Sequence, residues 1–311
     1  LLDHAAQASI TNMAADAVPV PPQPVLPTDL MRLMYTSGTT DRPKGVMLSH
    51  AHLLHNSRCI QRGFGHDEQS SGVTWLPLYH DMGLIGGVLQ PLYAGGPCTL
   101  LSPLDFLKKP LRWLQAMTRF RATTSGGPNF AYELCARKIT AAERAALDLS
   151  CWQIAPVGAE PVRRETLERF AQTFRECGFR REALFPCYGL AEATLFVSGG
   201  RLGTDACTLL ANGDALAQGR FQEEPAGSPL GREVQSCGRI VPSMEVVIAH
   251  PEDLTRCEDG RVGEIWVAGA SVAQGYWNRS QETAEVFAAH LAGSHQGPFL
   301  RTGDLGFLRE G

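Results

Sequence analysis

Between residues 73 and 188, short apolar runs alternate with longer stretches whose apolar residues recur at helical spacing. Val73 to Leu78, Cys98 to Leu101, Trp152 to Val157 and Ala183 to Cys187 read as strands. Leu111, Leu114, Met117 and Phe120, with Trp113 beside them, read as one helix face, and Leu167, Phe170 and Phe174 as another. Such alternation builds parallel strands joined by crossover helices, an α/β fold. Ligands in these sheets sit beyond the carboxyl ends of the strands. Segments rich in Gly and polar residues follow the apolar runs near residues 36, 80, 127, 158 and 188. Their common placement points to one shared site.

Further helices are predicted from Ser49, a good N-cap, to about Arg62, and over Leu84–Leu92, Phe130–Ile139, Ala141–Leu147 and Arg163–Cys177. The Pro-rich stretch 18–27 reads as the end of a linker over residues 1–28. Residues 29–236 are expected to form the α/β region. Within them, 201–236 is Gly-, Ala- and Glu-rich with weak periodicity. From about 237 to 311 short strands such as Glu245–Ile248 and Glu264–Val267 predict a β-rich subdomain, with a short helix capped by Ser280.

Composition excludes several classes. The net charge of -4 without basic clustering gives no footprint for nucleic acid, and no apolar run is long enough for a membrane span. Nine cysteines, an odd number with no two within four residues, argue against a disulfide framework or a zinc ribbon and fit a reducing cytoplasm. His50, His52 and His55 lie close together without an acidic partner at ligand spacing, which suits a solvated helix start better than a metal. The start, Leu1-Leu2-Asp3-His4, has neither Met nor a signal-peptide layout and reads as an internal starting point.

The densest chemistry lies in Tyr35-Thr36-Ser37-Gly38-Thr39-Thr40-Asp41-Arg42-Pro43-Lys44-Gly45-Val46. Thr36, Ser37, Thr39 and Thr40 supply hydroxyl donors, Gly38 and Gly45 let backbone N–H groups converge on an anion, and Lys44 adds a cation. It is not a Walker A loop, because Pro43 precedes the lysine and Gly45 follows it. Gly and Ser clusters also make ordinary turns. The whole string, however, closely resembles the phosphate-binding signature of the adenylate-forming superfamily, with Asp41 where that family commonly has Gly. Three more segments carry the resemblance in the same order: Gly158-Ala159-Glu160-Pro161, Tyr188-Gly189-Leu190-Ala191-Glu192-Ala193-Thr194, and Arg301-Thr302-Gly303-Asp304. Many members have Thr where Ala191 stands. Each of the three, taken singly, is also what a plain turn shows.

The resemblance implies roles. Lys44 and the loop hydroxyls would hold the phosphates of ATP, and Glu192 would hold Mg²⁺. Tyr188, with Gly189, Leu190, Ala191 and the 158–161 loop, would contact adenine, and Asp304 would accept from the ribose hydroxyls. Leu76-Pro77-Leu78-Tyr79-His80-Asp81-Met82-Gly83-Leu84-Ile85-Gly86-Gly87 and Thr124-Ser125-Gly126-Gly127-Pro128-Asn129-Phe130-Ala131-Tyr132 resemble fatty acyl-AMP ligases in particular. There His80 would sit beside the reacting carboxylate, and Met82, Gly126, Gly127, Pro128 and Phe130 would shape an acyl channel. The 201–236 stretch falls where those ligases carry an insertion. The implied activity joins a fatty acid to AMP and passes it to an acyl-carrier-protein thiol. Acyl-CoA ligation, or binding without turnover, are the alternatives. The small C-terminal domain of such enzymes, with its catalytic lysine, would lie beyond Gly311.

Overall fold

Two strands frame the phosphate-loop motif, and they do not belong to the parallel sheet. The computed structural model describes residues 24–36, 43–294 and 296–309. Within it β1 (Leu30–Thr36) pairs antiparallel with β2 (Lys44–Ser49). The run Leu30–Tyr35 is expected to be buried, yet Met34 alone is, and Tyr35 stays exposed. Backbone bonds also tie β2 to a distant segment: Met47 N–H donates to the Gly275 carbonyl and Gln274 N–H to the Met47 carbonyl. Ser49 caps helix His50–Phe64 reciprocally with His52, its hydroxyl accepting from the His52 N–H while the His52 ring accepts from the Ser49 N–H.

The parallel sheet is built from β3 (Gly72–Thr74), β4 (Cys98–Leu100), β5 (Ala155–Val157) and β6 (Leu184–Tyr188). β3 pairs with β4 and β5 with β6. Single bridges from Thr124 to Gly72 and Ile154, and from Gly127 to Val157, join the two halves through residues 124–127. β3 is shorter than the run Val73–Leu78 suggests, because the Thr74 hydroxyl takes the Leu76 N–H and turns the chain out of the sheet. β7 (Ser198–Gly199) extends the sheet antiparallel. β8 (Thr208–Asn212) and β9 (Gly231–Gln235) then form a separate antiparallel pair within 201–236. The chain returns to β7 through β10 (Arg239–Ile240), and β11 (Met244–Ala249), β12 (Gly263–Gly269) and β13 (Leu300–Gly306) make an antiparallel three-stranded sheet.

Side chains alternate across β5 and β6, as the strand period requires. Ala155, Val157 and Leu184 enter a core with Trp113, Trp152 and Phe170, under helices Leu111–Phe120, Asn129–Lys138 and Arg164–Phe174. Ile154 and Phe185 enter a second core with Met34, Ile60, Ile85 and Phe196. Both faces are therefore covered, as parallel strands need. Phe120, read as part of the buried helix face, is half exposed at the helix end, under the Arg119 guanidinium. The helix expected over Leu84–Leu92 is a π-helix, Met82–Leu89, continued by an α-helical turn Gln90–Ala94.

Candidate functional site

Parallel pairing brings the segments after β3, residue 124, β5 and β6 to one edge of the sheet. Together they line one cavity of about 600 Å³. Thr36, His80, Met82, Gly126, Gly158, Ala159, Tyr188, Gly189, Leu190, Ala191 and Glu192 all face it. Ser37, Gly38, Thr39 and Thr40 lie outside the described residues.

Tight turns make this convergence possible. A Cβ on Gly158 would stand 2.8 Å from the Cys187 carbonyl oxygen, and one on Gly189 only 1.5 Å from that of Leu195. Ala159 adopts a left-handed backbone, φ 63°, a conformation costing an ordinary residue about 1 kcal/mol. Such strain at a cavity wall is characteristic of functional loops.

Glu192 sits at the polar end. Its Oε1 accepts from the Tyr276 hydroxyl at 2.9 Å. Burial raises its pKa above the usual carboxylate range; the Tyr276 bond and Lys44 oppose that rise, and Asp81 adds to it. His80 contacts the Asp81 carboxylate at 2.6 Å, and that bond holds the imidazole above its ordinary pKa against the effect of burial. Asp81 Oδ1 also accepts from the Met82 N–H at 2.6 Å, which fixes the start of the π-helix.

Lys44 has a partner. Its ammonium is paired with Glu282 and lies 5.0 Å from the centre of the Tyr276 ring. Arg279 holds Glu282 from the other side at 3.1 Å. The chain Glu282, Lys44, Tyr276, Glu192 thus connects helix Ser280–Phe287 to the cavity wall.

Asp304 does not face the cavity itself, but its Oδ2 accepts from the Tyr188 hydroxyl at 2.7 Å. The sequence suggests a turn at Gly303-Asp304, whereas these residues lie inside β13, at a shift of register opposite Glu264 and Trp266. Glu264, 6% exposed, stabilises that irregularity by accepting from Arg301 at 2.8 Å and from the Gly303 N–H at 3.1 Å. Burial works to raise its pKa, but the Arg301 guanidinium and these bonds bring it below the usual value.

Other expected residues lie off the cavity. A Cβ on Gly127 would meet the Trp75 ring at 2.7 Å, so this glycine faces the core. Pro128 caps helix Asn129–Lys138, and the Phe130 ring, half exposed, meets Trp75 edge-on. Glu160 accepts the Phe130 N–H at 2.6 Å; its carboxylate is engaged at a helix N-terminus, where free N–H groups favour an anion. Pro161, beside it, is exposed and does not line the cavity either.

Tyr276, Glu282 and Glu264 escape a sequence reading because their partners are remote. Asp81, next to His80, had a signal in its position. Among the described residues no group of three His, Cys, Asp or Glu side chains could hold a metal; His55 instead contacts the Ser271 hydroxyl at 2.7 Å. No described helix is long and apolar enough to cross a membrane.

Comparison with known proteins agrees with this architecture. The sequence model of the AMP-binding enzyme family matches residues 2–277. The chain is 50% identical over 287 residues to the medium-chain-fatty-acid–[acyl-carrier-protein] ligase JamA of Moorena producens, covering 91% of this chain and 48% of that protein. It is 43% identical to the similarly named TtuA of Teredinibacter turnerae, over 92% of this chain and 45% of that one. The crystal structure of a fatty acyl-adenylate ligase from Legionella pneumophila, in complex with acyl adenylate and pyrophosphate, superposes with a TM-score of 0.89 at 45% identity, covering 93% of this chain and 50% of that one. The chain spans about half the length of the relatives it matches. With its α/β architecture, it belongs to the adenylate-forming family of AMP-binding enzymes.

Proposed function

We propose that the protein activates a fatty acid with ATP to an acyl-adenylate and passes the acyl group to the phosphopantetheine thiol of an acyl carrier protein, with AMP leaving. The observation that carries this reading is one continuous cavity, which joins a carboxylate-bearing polar end at Glu192 and His80 to an apolar run along the sheet between Phe64, Val73 and Phe196. A nucleotide needs the first and an acyl chain the second. The similarity to ligases named for fatty acids and carrier proteins supports the same reading.

The reaction is attack of the fatty-acid carboxylate on the α-phosphate, with pyrophosphate leaving. Phosphate chemistry of this kind is mostly positioning and charge neutralisation. The loop from Thr36 to Thr40 and Lys44 hold the phosphates, Lys44 exchanging Glu282 for the nucleotide. Glu192 fits Mg²⁺: one oxygen is fixed by Tyr276, the carboxylate faces the cavity, and Mg²⁺ takes one or two carboxylates alongside substrate phosphates. Bound there, the ion would offset charge on the phosphates. Tyr188 with Gly158 and Ala159 frames the adenine, and Asp304, oriented by Tyr188, takes the ribose. His80, kept protonated more readily by Asp81, meets the carboxylate, and Met82 and Gly126 line the acyl path. Gly127, Pro128 and Phe130 support its wall from behind, and Glu160 caps the supporting helix.

We place nucleotide and acyl binding in residues 29–236, with 201–236 as the ligase-type insertion and 237–311 as the β-rich subdomain. We also place the reaction in the cytoplasm. Mass spectrometry of products from the whole protein, given ATP, assorted fatty acids and either CoA or a carrier protein, tests the proposal. Acyl-adenylate and acylated carrier are expected; acyl-CoA as the main product would overturn the choice of acceptor.

A further inference from the structure

The cavity has a second end. At the carboxyl edge of the sheet it is bounded by Tyr188 and Glu192, and at the amino edge by Gly72, Cys98 and Thr124. Gly72 and Thr74, the two ends of β3, both line the cavity, and so does Leu76 beyond the strand, so the cavity runs the length of β3. Its walls along that path are mostly apolar, with Ile60, Phe64, Val73 and Phe196, but its far end is not.

There His66 Nε2 lies 3.0 Å from the Thr124 hydroxyl, and both side chains face the cavity. Behind His66, the Gln90 amide nitrogen lies 3.5 Å from its Nδ1. Gln90 is fully buried, and its Oε1 has no hydrogen-bond partner. The amide donating to Nδ1 fixes the tautomer: Nε2–H then donates to Thr124. Turning the amide over reverses both bonds and leaves the amide NH₂ short of a partner instead. Burial lowers the imidazole pKa to about 4, so at neutral pH an uncharged ring closes this end. A chain extending past His66 would break this part-buried hydrogen-bonded relay and leave the fully buried Gln90 amide without its partner. An apolar wall could yield by a side-chain rotation; this one cannot without that cost.

We propose that His66, held by Gln90 and Thr124, ends the acyl pocket and sets the longest chain the enzyme accepts. The inference rests on the fatty-acid reading above. His66 is a specificity-determining residue that meets the last carbons of the chain, and Gln90 is a positioning residue acting through it.

The test is pyrophosphate release by the whole protein with saturated fatty acids in two-carbon steps. Wild type is compared with His66→Ala, which opens the far end, and Ala94→Val, which narrows it from the neighbouring helical turn. His66→Ala should move the kcat/KM optimum to longer chains, with a relative gain of roughly tenfold for two additional buried methylenes. Ala94→Val should move it to shorter ones. Should melting curves show His66→Ala unfolded, the Ala94→Val shift together with Gln90→Leu decides. Active, folded variants with the wild-type chain profile would overturn the assignment. If wild type itself activates no fatty acid of any length, the fatty-acid reading falls, and this inference with it.

Discussion

The Tyr276 hydroxyl donates to Glu192 Oε1 at 2.9 Å while the Lys44 ammonium lies over the same ring. A residue outside every recognisable motif thereby orients the carboxylate best suited to a metal. Removing the hydroxyl with Tyr276→Phe frees a hydrogen bond to a charged group, an effect of about 1.5–3 kcal/mol. We expect adenylation to need more Mg²⁺ for half-maximal rate, measured by titrating the metal at saturating ATP. An unchanged Mg²⁺ requirement would separate Tyr276 from the function of Glu192.

Lys44 and Glu282 give a second test, because the lysine cannot serve its ion pair and a polyphosphate equally well. Lys44→Ala should weaken ATP binding more than AMP binding, and Glu282→Gln should leave ATP affinity equal or tighter while lowering the melting temperature. Calorimetry with both nucleotides reads this out. Equal losses for ATP and AMP in Lys44→Ala would make the lysine a structural anchor only.

Asp304 lies at the register shift that Glu264 stabilises and is bonded to Tyr188 at 2.7 Å. Asp304→Ala should weaken adenylate binding by about 1.5–3 kcal/mol. The loss should shrink for a deoxyribose analogue, which lacks the hydroxyl in question. If ribose and deoxyribose ligands lose equally, Asp304 acts by holding Tyr188 rather than by touching the sugar.

Acid should destabilise the protein through His66. Burial depresses its pKa from the ordinary 6.5 to about 4 in the folded chain. Between those values the unfolded state binds a proton that the folded state does not. The contribution of the neutral ring is therefore complete above pH 6.5 and is lost as pH falls toward 4, by roughly 2–3 kcal/mol. Melting temperatures at pH 7 and pH 4.5 should diverge less in His66→Leu than in wild type.

Sequence pattern revealed what was local. Ser49 as a cap, the helix faces around Leu114 and Phe170, and the strands at β5 and β6 follow from spacing, because neighbours in the chain decide them. Residues that answer to remote partners were hidden. Glu160 sat within a motif-like string, yet its carboxylate serves the N-terminus of a helix 30 residues away in sequence. Tyr276 meets Glu192 across 84 residues, brought there by backbone ties from residues 274–277 to β2 and from the Ala273 N–H to the Glu192 carbonyl. The apolar run at Leu84–Leu92 specified a buried helix, but nothing in its hydropathy distinguishes an α turn from a wider one.

That wider turn bears on how the gene can change. In the π-helix Met82–Leu89 the Gln90 N–H reaches back to the Ile85 carbonyl, five residues earlier, so the turn carries one residue more than an α-helix would. Loss of a single codon at Gly86 or Gly87 would let it tighten into an ordinary turn. The flanking residues would keep their facing, because the wide turn already absorbs the residue that is lost. Met82 and Asp81 would stay at the cavity and Gln90 beside His66. The segment should therefore tolerate loss of one residue here better than an ordinary α-helix would, where such a loss turns one flank by about 100°.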